Sequence, residues 1–124
     1  MLNNLARGRS LVIGVPDSKM KGALEQINYT PAVDEGSAVA IAAGHYTATK
    51  EVPLVYMQSD GLCNALNAIT SLVIPYQIPM DIFISVRNKP EQHAVMGSMV
   101  HKLVTMLEGQ AQNYQTQLKF HIYE

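Results

Sequence analysis

The chain has 124 residues, 48% of them apolar and 15% charged, with a formal net charge of −1, which is enough for one domain with a layered core and too little for two independent ones. Lys plus Arg 9 against Asp plus Glu 10 creates no field that favours nucleic acid or anionic lipid. No stretch approaches the ~20 apolar residues of a membrane span, and the single cysteine, Cys63, excludes an internal disulfide and suits a reducing cytoplasm. Charge this low on a chain this small predicts that part of the surface is covered by a partner.

Residues 1–9 mix polar and apolar positions, as a short helix or an irregular lead-in would. Ser10 to Val15 is a β-branched strand closed by Pro16-Asp17-Ser18, and Asp17 or Ser18 can cap a helix through about Ile27 whose apolar face is Met20, Leu24 and Ile27. Pro31, Ala32 and Val33 form a short strand that runs through the turn Asp34-Glu35-Gly36 into a helix ending at Lys50. Ser37 can cap this helix, as can Asp34; Val39, Ala42 and Ala43 share one face, and the many small residues predict nearly complete burial.

Val52 to Met57 shows little polar alternation, as in a parallel strand covered on both faces. A helix from the turn at Gln58 to Ile74 carries the stripe Leu62, Ala65, Leu66, Ile69, Leu72 and Val73, and Pro75 ends it. Ile78 to Val86 is a fourth strand, and Arg87 to His93 a polar connection. A last helix from Ala94 to Leu107 presents Val95, Met99, Leu103 and Leu107, with Gly109 as its stop. Ala111 to Thr116 resembles a linker, and Leu118 to Tyr123 alternates as a final edge strand. This regular alternation predicts an α/β three-layer sandwich with an open, mainly parallel sheet, in one domain over residues 1–124.

In such a sheet the loops after the strands meet on one edge, where ligands bind. Four polar or glycine-containing clusters fall there: Pro16-Asp17-Ser18, Asp34-Glu35, Gln58 to Gly61, and Arg87 to His93. Gly14 and Pro16 allow backbone to approach a ligand or the next strand closely. Asp34 and Glu35 either serve the helix start or include an acid or base aimed at a ligand. Asp17 reads as a helix cap or a substrate contact, and Asn64 and Asn67 as helix surface or ligand contacts. Arg87 can pair with an anionic substrate, and His93 can move protons near neutral pH.

Gln58 to Gly61 has neither the phosphate-loop nor the dinucleotide spacing. The four histidines lack metal-ligand spacing, so no metal site is expected on this chain. Cys63, Met57 and Met80 are predicted core.

The blocks Gly14 to Ser18, Asp34 to Gly44, Pro53 to Leu72, Ile78-Pro79-Met80 and Pro90 to His93 with Met96-Gly97, in this order and spacing, closely resemble the pyrimidine-binding (PYR) domain of thiamine-diphosphate-dependent decarboxylases. The likeness is to the phosphonopyruvate and sulfopyruvate decarboxylase group, the latter through its alpha subunit. It implies that Glu35 hydrogen-bonds N1′ of the cofactor's aminopyrimidine and so promotes deprotonation of the thiazolium, which attacks a 2-oxo acid before carbon dioxide leaves. It also implies Gly14, Pro16, Gln58, Gly61 and Asn64 beside the cofactor, and Asp17, Ser18, Arg87 and His93 beside the substrate.

The sequence departs from that family's pattern at three places. Asp34 stands for Asn, Ser59-Asp60-Gly61-Leu62-Cys63-Asn64 for Asn-Ser-Gly-Leu-Gly-Asn, and Val86-Arg87-Asn88 for Trp-Arg-Gly. These changes surround the implied pocket and leave the substrate open. The family's Gly-Asp-Gly block, which holds magnesium and diphosphate, has no counterpart here. The resemblance therefore implies a split enzyme, in which a separate diphosphate-binding (PP domain) subunit brings Mg2+ and a hetero-oligomer of two alpha and two beta subunits or larger forms. Two other readings stay open: a synthase subunit that passes the aldehyde or acyl unit to an acceptor, and a non-catalytic subunit that kept the fold.

Overall fold

Five strands, β1 (Val12–Gly14), β2 (Thr30–Pro31), β3 (Leu54–Gln58), β4 (Met80–Ser85) and β5 (Leu118–Tyr123), form a wholly parallel sheet in the order β2-β1-β3-β4-β5. This is a computed structural model, and it describes residues 1–89 and 91–124. Pro90, part of one resemblance block, lies outside the described residues, as does the side chain of Glu91.

Alternation along the strands divides the interior in two. Val55 and Met57 of β3, with Ile82 and Ile84 of β4, face α3 (Glu35–Thr49), α4 (Leu62–Ala68) and α5 (Ala94–Asn113). Leu54, Tyr56 and Phe83 point the other way, toward α1 (Leu2–Ala6) and α2 (Lys21–Leu24), where Leu2, Met20 and Leu24 close a smaller core. The result is the expected three-layer sandwich, with β2 and β5 as its edges. Each fully buried Ile, Leu or Phe contributes about 1.5–3 kcal/mol relative to exposure. Met57 and Met80 are core, as expected. Among the described residues no helix is long and apolar enough to cross a membrane.

Several elements differ from the sequence expectation. The first short helix does form at residues 2–6, but α2 has only four residues, and Asp17 precedes it by accepting from the Met20 N–H at 2.8 Å. The second strand lies at Thr30–Pro31, and Val33 is 87% exposed. Asp34, rather than Ser37, caps α3: it sits in extended backbone, and its Oδ1 accepts from the Ser37 N–H at 2.7 Å. Val39, Ala42 and Ala43 are buried as predicted. The opposite face of α3, including Ala40 and Ile41, is nevertheless open to solvent, because only one side packs on sheet and α4.

After α4 the chain takes one π-helical turn at Ile69–Val73, with the Ile74 N–H reaching back five residues to Ile69 O. That turn keeps Ile69 and Val73 in the core before Pro75 ends the helix.

The last helix runs through Gly109 to Asn113, so Gly109 does not stop it and residues 111–113 are not linker. Its buried line is Gly97, Val100, Val104, Leu107 and Ala111, while Val95 and Met99 are exposed. Cys63 is also exposed, because α4 turns Leu62 and Ala65 to the core and its neighbour outward.

Candidate active site

Glu35 is the first residue of α3, directly after its cap Asp34, and is only 7% exposed. Its carboxylate is held between two residues that follow β3. Asn64 of α4 donates from Nδ2 to Oε1 at 3.1 Å. On the other side lies Gly61, where a Cβ would stand 2.5 Å from Oε2 and 2.6 Å from the carboxyl carbon. Gly61 therefore leaves the room that the carboxylate occupies, and among the described residues Oε2 receives no hydrogen bond.

The turn between β3 and α4 also grips the segment that follows β4, through three consecutive residues. Gln58 Oε1 accepts from Arg87 Nη1 at 2.7 Å. The fully buried Ser59 accepts the Arg87 N–H on Oγ at 2.9 Å. Asp60 Oδ2 lies 3.3 Å from His93 Nδ1. Arg87 Nε additionally donates to Lys89 O at 3.2 Å.

Asp17 comes from the loop after β1. Burial, the largest influence, raises its carboxyl above the usual carboxylate range and Asp60 adds to the rise, against the Met20 hydrogen bond and the charges of Arg87 and Lys19. Lys19 on the same loop donates to Val86 O at 2.7 Å and to Glu124 O at 2.8 Å, with its ammonium 5.4 Å from the centre of the Tyr123 ring. Lys19, Val86, Arg87, Asn88 and Lys89 line a cleft of about 250 Å³. Among the described residues neither Arg87 nor Lys89 pairs with a carboxylate.

The structure thus gathers Asp17, Glu35, Gln58, Gly61, Asn64, Arg87 and His93 along the carboxyl edge of the sheet. At Gly14 the space a Cβ would take is filled by the Tyr56 carbonyl and ring, so it serves the expected close approach of β1 to β3. Tyr56 is itself buried with a hydroxyl that meets no partner among the described residues, and burial, then Tyr29 and Asp17, push its ionisation well above the ordinary value. Pro16 and Ser18 are exposed on the β1 loop, and among the described residues the Asn67 side chain accepts from Ser71 of its own helical stretch. Lys19 was not singled out from sequence, and Ser59 and Asp60 were named only as members of the Gln58 to Gly61 turn. A buried serine between two polar neighbours gives no periodic signal, and Lys19 acts through backbone carbonyls that only the tertiary fold supplies.

The model of the family described as "Thiamine pyrophosphate enzyme, N-terminal TPP binding domain" matches residues 5–114. The chain is 32% identical to sulfopyruvate decarboxylase subunit alpha of Methanococcus maripaludis, over 84% of this chain and 68% of that one. It is 33% identical to the subunit of the same name from Methanocaldococcus jannaschii, over 78% and 63%. It therefore spans about two thirds of the length of these relatives. The fold matches the crystal structure of benzoylformate decarboxylase from Polynucleobacter necessarius with a TM-score of 0.66 at 20% identity, over 92% of this chain and 27% of that one.

Proposed function

Because the chain belongs to the thiamine pyrophosphate enzyme family, as its N-terminal TPP-binding domain, we propose that residues 1–124 are a PYR domain serving as one subunit of a split thiamine-diphosphate-dependent 2-oxo acid decarboxylase. The observation that carries this reading is the buried Glu35 carboxyl, held by Asn64 on one oxygen and seated on Gly61 at the other. A carboxyl so placed fits the aminopyrimidine end of the cofactor, to which it offers an oxygen that no described donor occupies. When bound, thiamine diphosphate supplies a thiazolium carbon that adds to the 2-oxo group and takes up the electron pair left when carbon dioxide departs.

Glu35 holds a proton and shares it with the pyrimidine ring nitrogen, and Asn64 keeps its carboxyl from turning away. Asp17, with Ser18, offers polar contacts to the substrate from the β1 loop. The cleft of Lys19, Arg87 and Lys89 supports a substrate whose far end is anionic, such as a sulfonate or phosphonate. The magnesium and diphosphate would be held by a PP-domain subunit, in a hetero-oligomer of two copies of each chain or larger. The names of the relatives, each a subunit alpha, support that division. The single cysteine and the low charge suit a cytoplasmic protein partly covered by its partner.

The test is reconstitution with the PP-domain partner, thiamine diphosphate and Mg2+, followed by carbon dioxide release from sulfopyruvate and from pyruvate. Glu35→Gln is expected to lower turnover by about 10²-fold or more, the scale of a lost proton-transfer group. Full turnover in that variant would refute the role assigned to Glu35.

A further inference from the structure

Ser59 opens the turn that ends two positions later at Gly61, the seat of Glu35. It is fully buried, and its hydroxyl oxygen accepts the Arg87 N–H, from the segment after β4, at 2.9 Å. The same segment is held from other sides. Lys19 donates to Val86 O at 2.7 Å, and Gln58 Oε1 accepts from Arg87 Nη1 at 2.7 Å. At Gly97 of α5 the space a Cβ would take is filled by Arg87 O and Asn88 Oδ1, so residues 87 and 88 sit against the helix backbone. With Nε on Lys89 O and Nη1 on Gln58, the Arg87 guanidinium is fixed on one side, and its Nη2 meets no acceptor among the described residues. Arg87 thus borders the cleft it lines with Lys19 and Lys89 as an already oriented cation.

We propose that Ser59 is a positioning residue that fixes the reach from the Glu35 seat to Arg87, and so makes the enzyme select 2-oxo acids by an anionic group at their far end. This rests on the decarboxylase reading given above, with the 2-oxo group at the cofactor end and the anion in the cleft. The turn from Ser59 to Gly61 is common to both ends: Gly61 seats the Glu35 carboxyl, and Ser59 ties down the backbone that carries the guanidinium. Ser59 also stands where the family pattern has Asn, so this link belongs to the features in which the chain departs from that pattern. Removing the hydroxyl leaves the Arg87 N–H without its acceptor, which is costly in a sheltered position, and frees residues 87 and 88 to shift. A substrate with no anion at its far end makes no use of Arg87 and does not register the change.

Two measurements test the assignment. In the reconstituted complex, Ser59→Ala is expected to raise KM for sulfopyruvate about ten-fold, the scale of one weakened hydrogen bond to a charged group, while kcat/KM for pyruvate stays within about two-fold. Ser59→Cys, with a weaker acceptor on a side chain of similar shape, is expected to fall between Ser59→Ala and the wild type, and gives the reading if the alanine chain does not fold. Separately, ethanesulfonate is titrated against the 15N-labelled chain. It should move the Arg87 amide and Nε signals, with an affinity about ten-fold lower in Ser59→Ala.

A preference for sulfopyruvate over pyruvate that is unchanged in the folded variants would overturn the proposal. So would an equal loss on both substrates, the mark of a purely structural role. Ethanesulfonate that leaves the wild-type Arg87 signals unmoved, or binds both chains equally, would overturn it as well. A wild-type complex that decarboxylates neither acid would overturn the decarboxylase reading and the selection of substrate with it. In that case the ethanesulfonate titration would still decide whether Ser59 positions Arg87.

Discussion

The Glu35 carboxyl rests directly on the backbone of Gly61, with 2.5 Å between Oε2 and the position a Cβ would occupy there. Two residues from different loops share one small volume, and the smaller of them has to remain glycine. In Gly61→Ala the Glu35 side chain must move, and the bond from Asn64 Nδ2 breaks with it. An off-rotamer side chain costs of order 0.5–1.5 kcal/mol. At about 4–8 °C per kcal/mol for a small domain, the displaced side chain alone should lower the thermal midpoint by about 2–12 °C. Thiamine diphosphate affinity of the reconstituted complex should fall by about ten-fold, the equivalent of roughly 1.4 kcal/mol. Calorimetric titration beside a melting curve checks both, and unchanged affinity in a folded variant would count against the seat at Gly61.

That seat also marks what was legible in the sequence. The sandwich and the placing of Glu35 at a strand's carboxyl edge follow from β-branched runs, turn residues and helical periodicity, all of which are local signals, whereas the strand order rests on pairings between distant residues. The β3 turn appeared as polar and glycine-containing, but its grip on residues 87–93 depends on contacts about 30 positions apart, such as Gln58 with Arg87. The start of helix α5 was placed correctly, but its end fell six residues short and its buried face was rotated. Its sequence carries two apolar lines, and the four-apart one through Val95 and Met99 hides the line that is buried. Gly97, the first residue of the buried line, has no side chain to show as hydrophobic. Cys63 was misplaced for a similar reason, one position around α4 from Leu62.

Gly109 lies within α5, and a Cβ there would meet nothing within 4 Å. Neither a left-handed conformation nor a close approach requires glycine at this position. Gly109→Ala should therefore stabilise the chain by about 0.5–1 kcal/mol, through the lower backbone entropy of the unfolded state and better helix propensity. Urea unfolding would show a higher midpoint with unchanged slope. A lower midpoint would mean that α5 ends near residue 107 in solution.

Asp81, at the amino end of β4, ties that strand to β5 and to the loop between α1 and β1 through one carboxyl. Arg9 Nη1 lies 2.6 Å from Oδ2, and His121 Nε2 lies 2.9 Å from Oδ1, with the Asp81 side chain 13% exposed. Burial acts to raise its pKa, but the hydrogen bonds from His121 and Arg9 and the Arg9 charge outweigh burial, and the net shift is downward from 3.8. A carboxyl with a lowered folded-state value binds its proton more weakly when folded than when unfolded. Its stabilisation is therefore fully present above the unfolded value and is lost as pH falls through the folded one. Asp81→Asn should cost about 1.5–3 kcal/mol at pH 7, the range for hydrogen bonds to charged groups. Urea midpoints of the two proteins should stay apart from pH 7 down to about pH 4 and converge only below the ordinary carboxylate value. A gap that persists undiminished to the acid limit of folding would show that the aspartate acts through shape rather than charge.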